Sequence, residues 1–167
     1  SALKPLTLFF IDSVANYHPP DGKLRQWFEQ EYEIMRSDAR FRSLDMPGID
    51  VVHDGYFAAS NKGVPKDVTT RGLESTEIES ALKRIMQNKE KLLSFEEPLR
   101  FIFSYAALAE GWDNPNVFTV CNLQHGRSEM RKRQQIGRGL RLPVMVDGDR
   151  CRNDDINVVT VIAHEDF

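Results

Sequence analysis

Four short apolar runs punctuate this chain: Leu6 to Ile11, Phe101 to Phe103, Val117 to Leu123 and Val158 to Ala163. None is long enough for a buried helix, and the flanking turn residues favour strands covered on both faces. Parallel strands of this kind need long crossover connections, and helical patterns supply them. After the turn Pro19-Pro20-Asp21-Gly22, the residues Leu24, Trp27, Phe28, Tyr32 and Met35 recur at helical spacing, with Trp27 expected in the core. Thr76 and Glu79 form a capping box ahead of Ile78, Leu82, Ile85, Met86 and Leu93, predicting a long helix that ends before Pro98. A further helix is expected around Arg131 to Leu140, and a short strand over Ile49 to Val52. The stretch Ala58 to Leu73 is polar and aperiodic, with Gly63, Pro65 and Gly72, and reads as a mobile loop or insertion. The implied class is α/β, three layers with a mostly parallel central sheet and helices on both faces. Ligand groups are expected at the carboxyl ends of the strands. With 167 residues, 41% of them hydrophobic, the chain can bury one core, so residues 1–167 read as one domain.

Charge and composition exclude several chemistries. The formal net charge of −3 argues against nucleic-acid binding by bulk charge, but Arg127, Arg131, Lys132, Arg133, Arg138 and Arg141 crowd one stretch with only Glu129 among them. The four histidines, His18, His53, His125 and His164, are scattered without a ligand spacing, so no metal site is expected. Cys121 lies in an apolar run and reads as a reduced core thiol, and Cys151 has no partner at ligand spacing. No serine occupies a nucleophile elbow. Asp12 with Asp21-Gly22-Lys23 imitates a metal-dependent nuclease only faintly, because Asp21 follows two prolines where that site needs a strand. No signal peptide or apolar stretch near twenty residues occurs, which makes the cytoplasm the expected compartment and excludes a membrane partner.

Chemistry concentrates in two segments. The first is Gln134-Gln135-Ile136-Gly137-Arg138-Gly139-Leu140-Arg141, a Q-x-x-G-R-x-x-R pattern. Arginines three apart share a helix face, and each guanidinium offers a permanently charged fork suited to phosphate oxygens. A chance match to four fixed residues in a chain this long is on the order of one in a thousand. A solvated basic helix would account for the arginines, but not for the glutamine and glycine at those offsets. The second segment leads from Phe101-Ile102-Phe103-Ser104-Tyr105 to Gly111-Trp112-Asp113-Asn114-Pro115. Gly111 permits close approach of a ligand to the backbone, and Asp113 presents a carboxylate able to accept from a ribose hydroxyl. An Asx-type turn closed by Asn114-Pro115 is the plain structural alternative.

In this order and spacing, the two segments resemble motifs V and VI of superfamily two helicases and translocases, with Leu6 to Asp12 where motif IV opens the second motor domain. The wording Ala109-Glu110-Gly111-Trp112-Asp113-Asn114-Pro115-Asn116-Val117-Phe118, followed by Arg133 to Pro143, resembles the Res subunit of type III restriction-modification enzymes. That resemblance implies a RecA-like, P-loop NTPase-type fold. It implies Arg138 and Arg141 as arginine fingers and Gln134 near the γ-phosphate. Gly111, Asp113 and Gly137 would lie at the nucleotide, and Ser104, Tyr105 and Arg131 would be candidate DNA contacts. Where many relatives carry a threonine before motif V, this chain has Ser104-Tyr105. The cofactors implied are ATP and Mg2+, with the magnesium ligands outside this segment. The partners implied are double-stranded DNA, an N-terminal RecA-like domain in cis and a modification methyltransferase (Mod) subunit.

The chain contains no G-x-x-x-x-G-K-[ST] loop, so it is expected to be half of a motor: the Walker A domain and the nuclease domain would lie elsewhere, and the segment alone would be inactive. Two rival readings stay open. One is a noncatalytic nucleic-acid or protein docking module that keeps the motor fold. The other is the same motor domain in a type I restriction subunit or a repair helicase.

Overall fold

The computed structural model describes residues 2–57, 91–105, 114–124, 133, 136, 137 and 141–163. Five strands form one sheet: β1 (Leu6–Phe10), β2 (His53–Tyr56), β3 (Phe101–Ser104), β4 (Val117–Asn122) and β5 (Thr160–Ala163). Their order is β2-β3-β1-β4-β5, and every pairing is parallel. The α/β class with a parallel central sheet is therefore what the apolar runs implied, and it fits a three-layer RecA-like domain. The chain starts in the middle of the sheet, builds one flank through β2 and β3, then crosses to build the other through β4 and β5.

Alternation along each strand divides the core in two. Leu6, Leu8 and Phe10 face one side with Ile102, Val117 and Val120, closed over by Leu92 and Leu99. Ile11 and Phe103 face the other side with Val14, Tyr17 and Phe57, and Phe9, Leu24 and Phe28 pack onto them. Phe9 and Phe103 stack at 4.5 Å, and Tyr17 stacks on Phe103 at 4.1 Å. Leu8, Ile11 and Phe103 are wholly buried, and burying each such side chain stabilises the fold by about 1.5–3 kcal/mol. Between β1 and β4 the register slips by one residue: Leu6 pairs with Val117 but Thr7 with Thr119. This bulge at Phe118 lets Val117 and Val120, of opposite parity, reach the same core.

Helix α1 (Lys23–Ser37) lies over the aromatic side of the sheet. Leu24, Phe28 and Tyr32, spaced by four, make its inward stripe, and the Tyr32 hydroxyl donates to the Pro47 carbonyl at 2.8 Å. Trp27 corrects the reading of the sequence: it is 63% exposed, on the same flank as Ile34, seven residues on. The contact stripe is narrow, and Trp27 falls to one side of it. Met35 is exposed as well, in the last turn of the helix.

A second correction concerns Ile49–Val52, which forms a one-turn helix, α2, while the strand is the next four residues, His53-Asp54-Gly55-Tyr56. Asp50 at its first turn suits a helix start, and pairing with β3 makes a strand of a segment with no apolar run. The loop over Ala58 to Leu73 lies outside the described residues, as does the long helix but for its last residues, where Lys91–Leu93 forms a 3-10 turn. Arg133 and Ile136 are helical, and Gly137 N–H donates to the Arg133 carbonyl at 2.9 Å, as the helix expected there requires.

Candidate functional site

Both motif segments sit in crossover connections of the sheet. One connects β3 to β4, strands on opposite sides of β1, and the other connects β4 to its neighbour β5, so both connections share β4. Gln134, Arg138, Gly111, Asp113 and Arg131 lie outside the described residues. Ser104, Tyr105, Gly137 and Arg141 lie within them.

Ser104 ends β3 at the carboxyl edge of the sheet. It is wholly buried, its backbone carbonyl accepts from Ile11 N–H at 2.9 Å, and its hydroxyl has no hydrogen-bond partner. In this arrangement it offers no surface to a DNA backbone. Tyr105 beside it is half-buried against the aromatic core. The same edge is laced by Gln124, whose amide donates to the carbonyls of Ile11 at 2.8 Å and Tyr105 at 3.1 Å. That side chain ties together the ends of β1, β3 and β4, and nothing in the sequence pattern pointed to it. A polar residue just past an apolar run is too common to carry a signal.

Arg141 lies at the other end of the strands. It is exposed and lines a cleft of about 260 Å³ with Val117, Phe118, Leu142, Pro143 and Val158, at the amino end of β4. Arg141 thus lies by the amino end of β4 and not at the carboxyl ends of the strands. Phe118, the bulged residue, faces this cleft.

Four hydrogen bonds hold the backbone that follows Arg141. Arg150 Nη1 donates to the Leu142 carbonyl at 2.9 Å, and Cys151 N–H donates to the Pro143 carbonyl at 2.8 Å. Asn116 takes both backbone groups of Val144: its Nδ2 donates to the carbonyl at 2.9 Å and its Oδ1 accepts the N–H at 2.8 Å. Asn114, the residue after Asp113 in the chain, accepts the Asn116 N–H through Oδ1 at 3.0 Å. Both asparagines are wholly buried. The end of the G-x-D segment and the end of the arginine segment therefore meet at the amino end of β4.

A larger cleft of about 510 Å³ opens at the β2 edge, lined by Tyr17, Arg25, His53, Asp54, Tyr56 and Glu97 among others. Within it His53 is held between the Tyr17 hydroxyl at Nδ1, 2.5 Å away, and the Glu29 carboxylate 3.4 Å from Nε2, and Arg25 pairs with the same carboxylate at 2.7 Å. Burial lowers the His53 pKa below its usual 6.5, partly opposed by Glu29, and the ring bridges helix to strand. Among the described residues no three His, Cys, Asp or Glu side chains group as a metal site, and no helix is long and apolar enough to cross a membrane. Cys121 is buried in β4, which raises its thiol pKa to about 11, as befits a core thiol.

Three proteins are similar to nearly the whole chain. The Res subunit of the type III restriction-modification enzyme EcoP15I of Escherichia coli is 39% identical over 178 residues, covering 99% of this chain and 17% of that protein. The EcoPI Res subunit of Escherichia phage P1 is 38% identical over 179 residues, again 99% of this chain and 17% of the relative. The chain is homologous to one segment of the type III Res subunits. A third, the StyLTI Res subunit of Salmonella typhimurium (strain LT2), is 36% identical over 180 residues, covering 92% of this chain and 17% of its own length. The chain thus spans about a sixth of the length of these Res subunits. No family model matches it.

Proposed function

We propose that this chain is the second RecA-like motor domain of an ATP-dependent DNA translocase or helicase, acting within a type III restriction endonuclease of the Res kind. ATP lies between this domain and an N-terminal RecA-like domain that supplies the phosphate loop and the Mg2+ ligands. As water attacks the γ-phosphorus and the bond to the β–γ bridging oxygen breaks, Arg138 and Arg141 stabilise the charge on the transferring group. Gln134 lies near the γ-phosphate, and Gly111, Asp113 and Gly137 approach the nucleotide. Ser104, Tyr105 and Arg131 are the candidate contacts to double-stranded DNA, with Ser104 buried in this domain by itself. A Mod methyltransferase subunit is the partner, the nuclease lies elsewhere in the full-length hydrolase, and the compartment is the cytoplasm.

The observation that carries this reading is the meeting of the two motif segments at the amino end of β4, where Arg141 stands exposed on a hydrogen-bonded backbone. A docking module would have no need to join those two segments.

Full-length Arg138→Ala and Arg141→Ala should keep the wild-type melting temperature and lose turnover at saturating DNA by a factor on the order of a thousand, the scale of an arginine finger. Lysine should not restore full activity, because a point charge cannot reproduce the bidentate fork. Arg131→Ala should instead weaken DNA binding and its salt dependence. Near-normal turnover in both arginine-to-alanine variants, or a loss explained wholly by unfolding, would favour the docking-module reading.

A further inference from the structure

Arg141 is followed by three residues whose backbone is held by the side chains of Arg150 and Asn116 and by the Cys151 N–H, and Asn116 is the only wholly buried side chain among those named holders. Arg150, which holds the Leu142 carbonyl, is exposed, and Cys151 contributes a backbone N–H. Asn116 by contrast mimics a strand neighbour, giving and taking one bond each with Val144, three residues after Arg141. Its own backbone is fixed twice: its N–H donates to Asn114 Oδ1 at 3.0 Å, and its carbonyl accepts from Leu6 N–H at 2.8 Å at the start of β1. The chain from central strand to arginine is thus Leu6, Asn116, Val144, Arg141.

We propose that Asn116 is a positioning residue for ATP hydrolysis, setting the place of the Arg141 guanidinium from the rigid centre of the sheet. This rests on the reading of Arg141 as an arginine finger. A carboxamide suits the task because it is the one short side chain that presents a donor and an acceptor side by side, matching a peptide unit. Aspartate at this position keeps the acceptor for Val144 N–H but sets a carboxylate oxygen against the Val144 carbonyl. Freed of this clamp, the residues after Arg141 shift, and a displacement near 1 Å at a transition-state contact can cost about a hundredfold. Nucleotide binding, made largely by other groups, is unaffected.

The test uses the full-length enzyme with DNA, in wild type, Asn116→Ala, Asn116→Asp, Arg141→Ala and the double variants with Arg141→Ala, with active sites titrated by a fluorescent nucleotide so that unfolded protein is not counted. The expected result is a fall in kcat of about ten- to a hundredfold in both Asn116 variants with KM for ATP within about twofold. In the Arg141→Ala background the same changes should have almost no further effect on kcat, because the group they position is gone. Asn116→Asp, which conserves size, keeps the question answerable if the alanine variant fails to fold. Asn116 variants with normal kcat beside a dead Arg141→Ala would overturn the inference and leave the finger standing. An Asn116 effect of equal size with and without Arg141 would overturn it too, as an independent contribution. Normal turnover in Arg141→Ala would bring down the finger reading itself and this inference with it.

Discussion

At the scale of single residues, the least expected group is Lys4. It is wholly buried before β1, and its Nζ donates to the carbonyls of Ser94 at 3.0 Å and Glu97 at 2.6 Å, which fastens the segment covering one face of the sheet. Burial, reinforced by the Arg100 guanidinium and opposed by Glu97, pulls its pKa from 10.5 to about 8. Between these values the unfolded chain holds the proton more firmly than the folded one. The contribution of Lys4 to stability therefore rises as pH climbs from about 8 to about 10.5 and is lost as pH falls back through 8. Urea titrations of wild type and Lys4→Met should show the difference between them shifting toward wild type by roughly 1–3 kcal/mol across that window. A constant difference would mean that the ammonium keeps its ordinary pKa. The comparison cancels Tyr17 and Tyr56, whose phenols burial pushes up.

At the scale of elements, helix α1 is placed by its first turn as well as by its apolar stripe. Gly22 precedes Lys23 and is buried, and its N–H donates to the Pro19 carbonyl at 2.9 Å. Its φ of −58° suits any residue, so glycine is required there by space alone. A Cβ at Gly22 would stand 2.6 Å from the Asn16 carbonyl oxygen and 3.0 Å from Tyr17 N, backbone atoms that cannot swing aside. Gly22→Ala should therefore destabilise the domain by about 1–3 kcal/mol in chemical denaturation, although alanine is the better helix former. An unchanged or higher midpoint would show that the helix start can shift. β2 depends on its surroundings in the same way. Its strand conformation comes from the four-residue pairing with β3, and its His53 is gripped by Tyr17 and by Glu29 of α1.

At the scale of the whole molecule, the motor reading makes this domain half of a nucleotide site. Without a phosphate loop it should bind ATP with an affinity no better than roughly millimolar, about 4 kcal/mol, and should not turn it over. Calorimetry on the isolated segment is the check. Micromolar binding, or steady hydrolysis by the segment alone, would contradict the division of labour between two domains. The cleft beside Arg141 opens at the amino end of β4, with Val158 59% exposed at its rim.

The amino-acid sequence by itself determined β1, β3 and β4 to within a residue, because a strand buried on both faces must be apolar throughout, and it determined the arginine and G-x-D motifs, because their chemistry is written in residue type and spacing. It also carried the resemblance to type III Res subunits, in the run from Ala109 to Phe118 and from Arg133 to Pro143. What only the tertiary structure decided is where these parts lie relative to one another. β2 could not be read from His53-Asp54-Gly55-Tyr56, since an edge strand owes its form to its neighbour's free hydrogen-bonding groups. Trp27 could not be put outside, since period alone does not say how wide a stripe the sheet will cover. Nor could Arg141 be put at the amino end of β4, or Asn116 beneath it. The bonds that hold that corner join residues 28 apart in the chain, and a polar side chain that substitutes for a strand leaves no periodic mark.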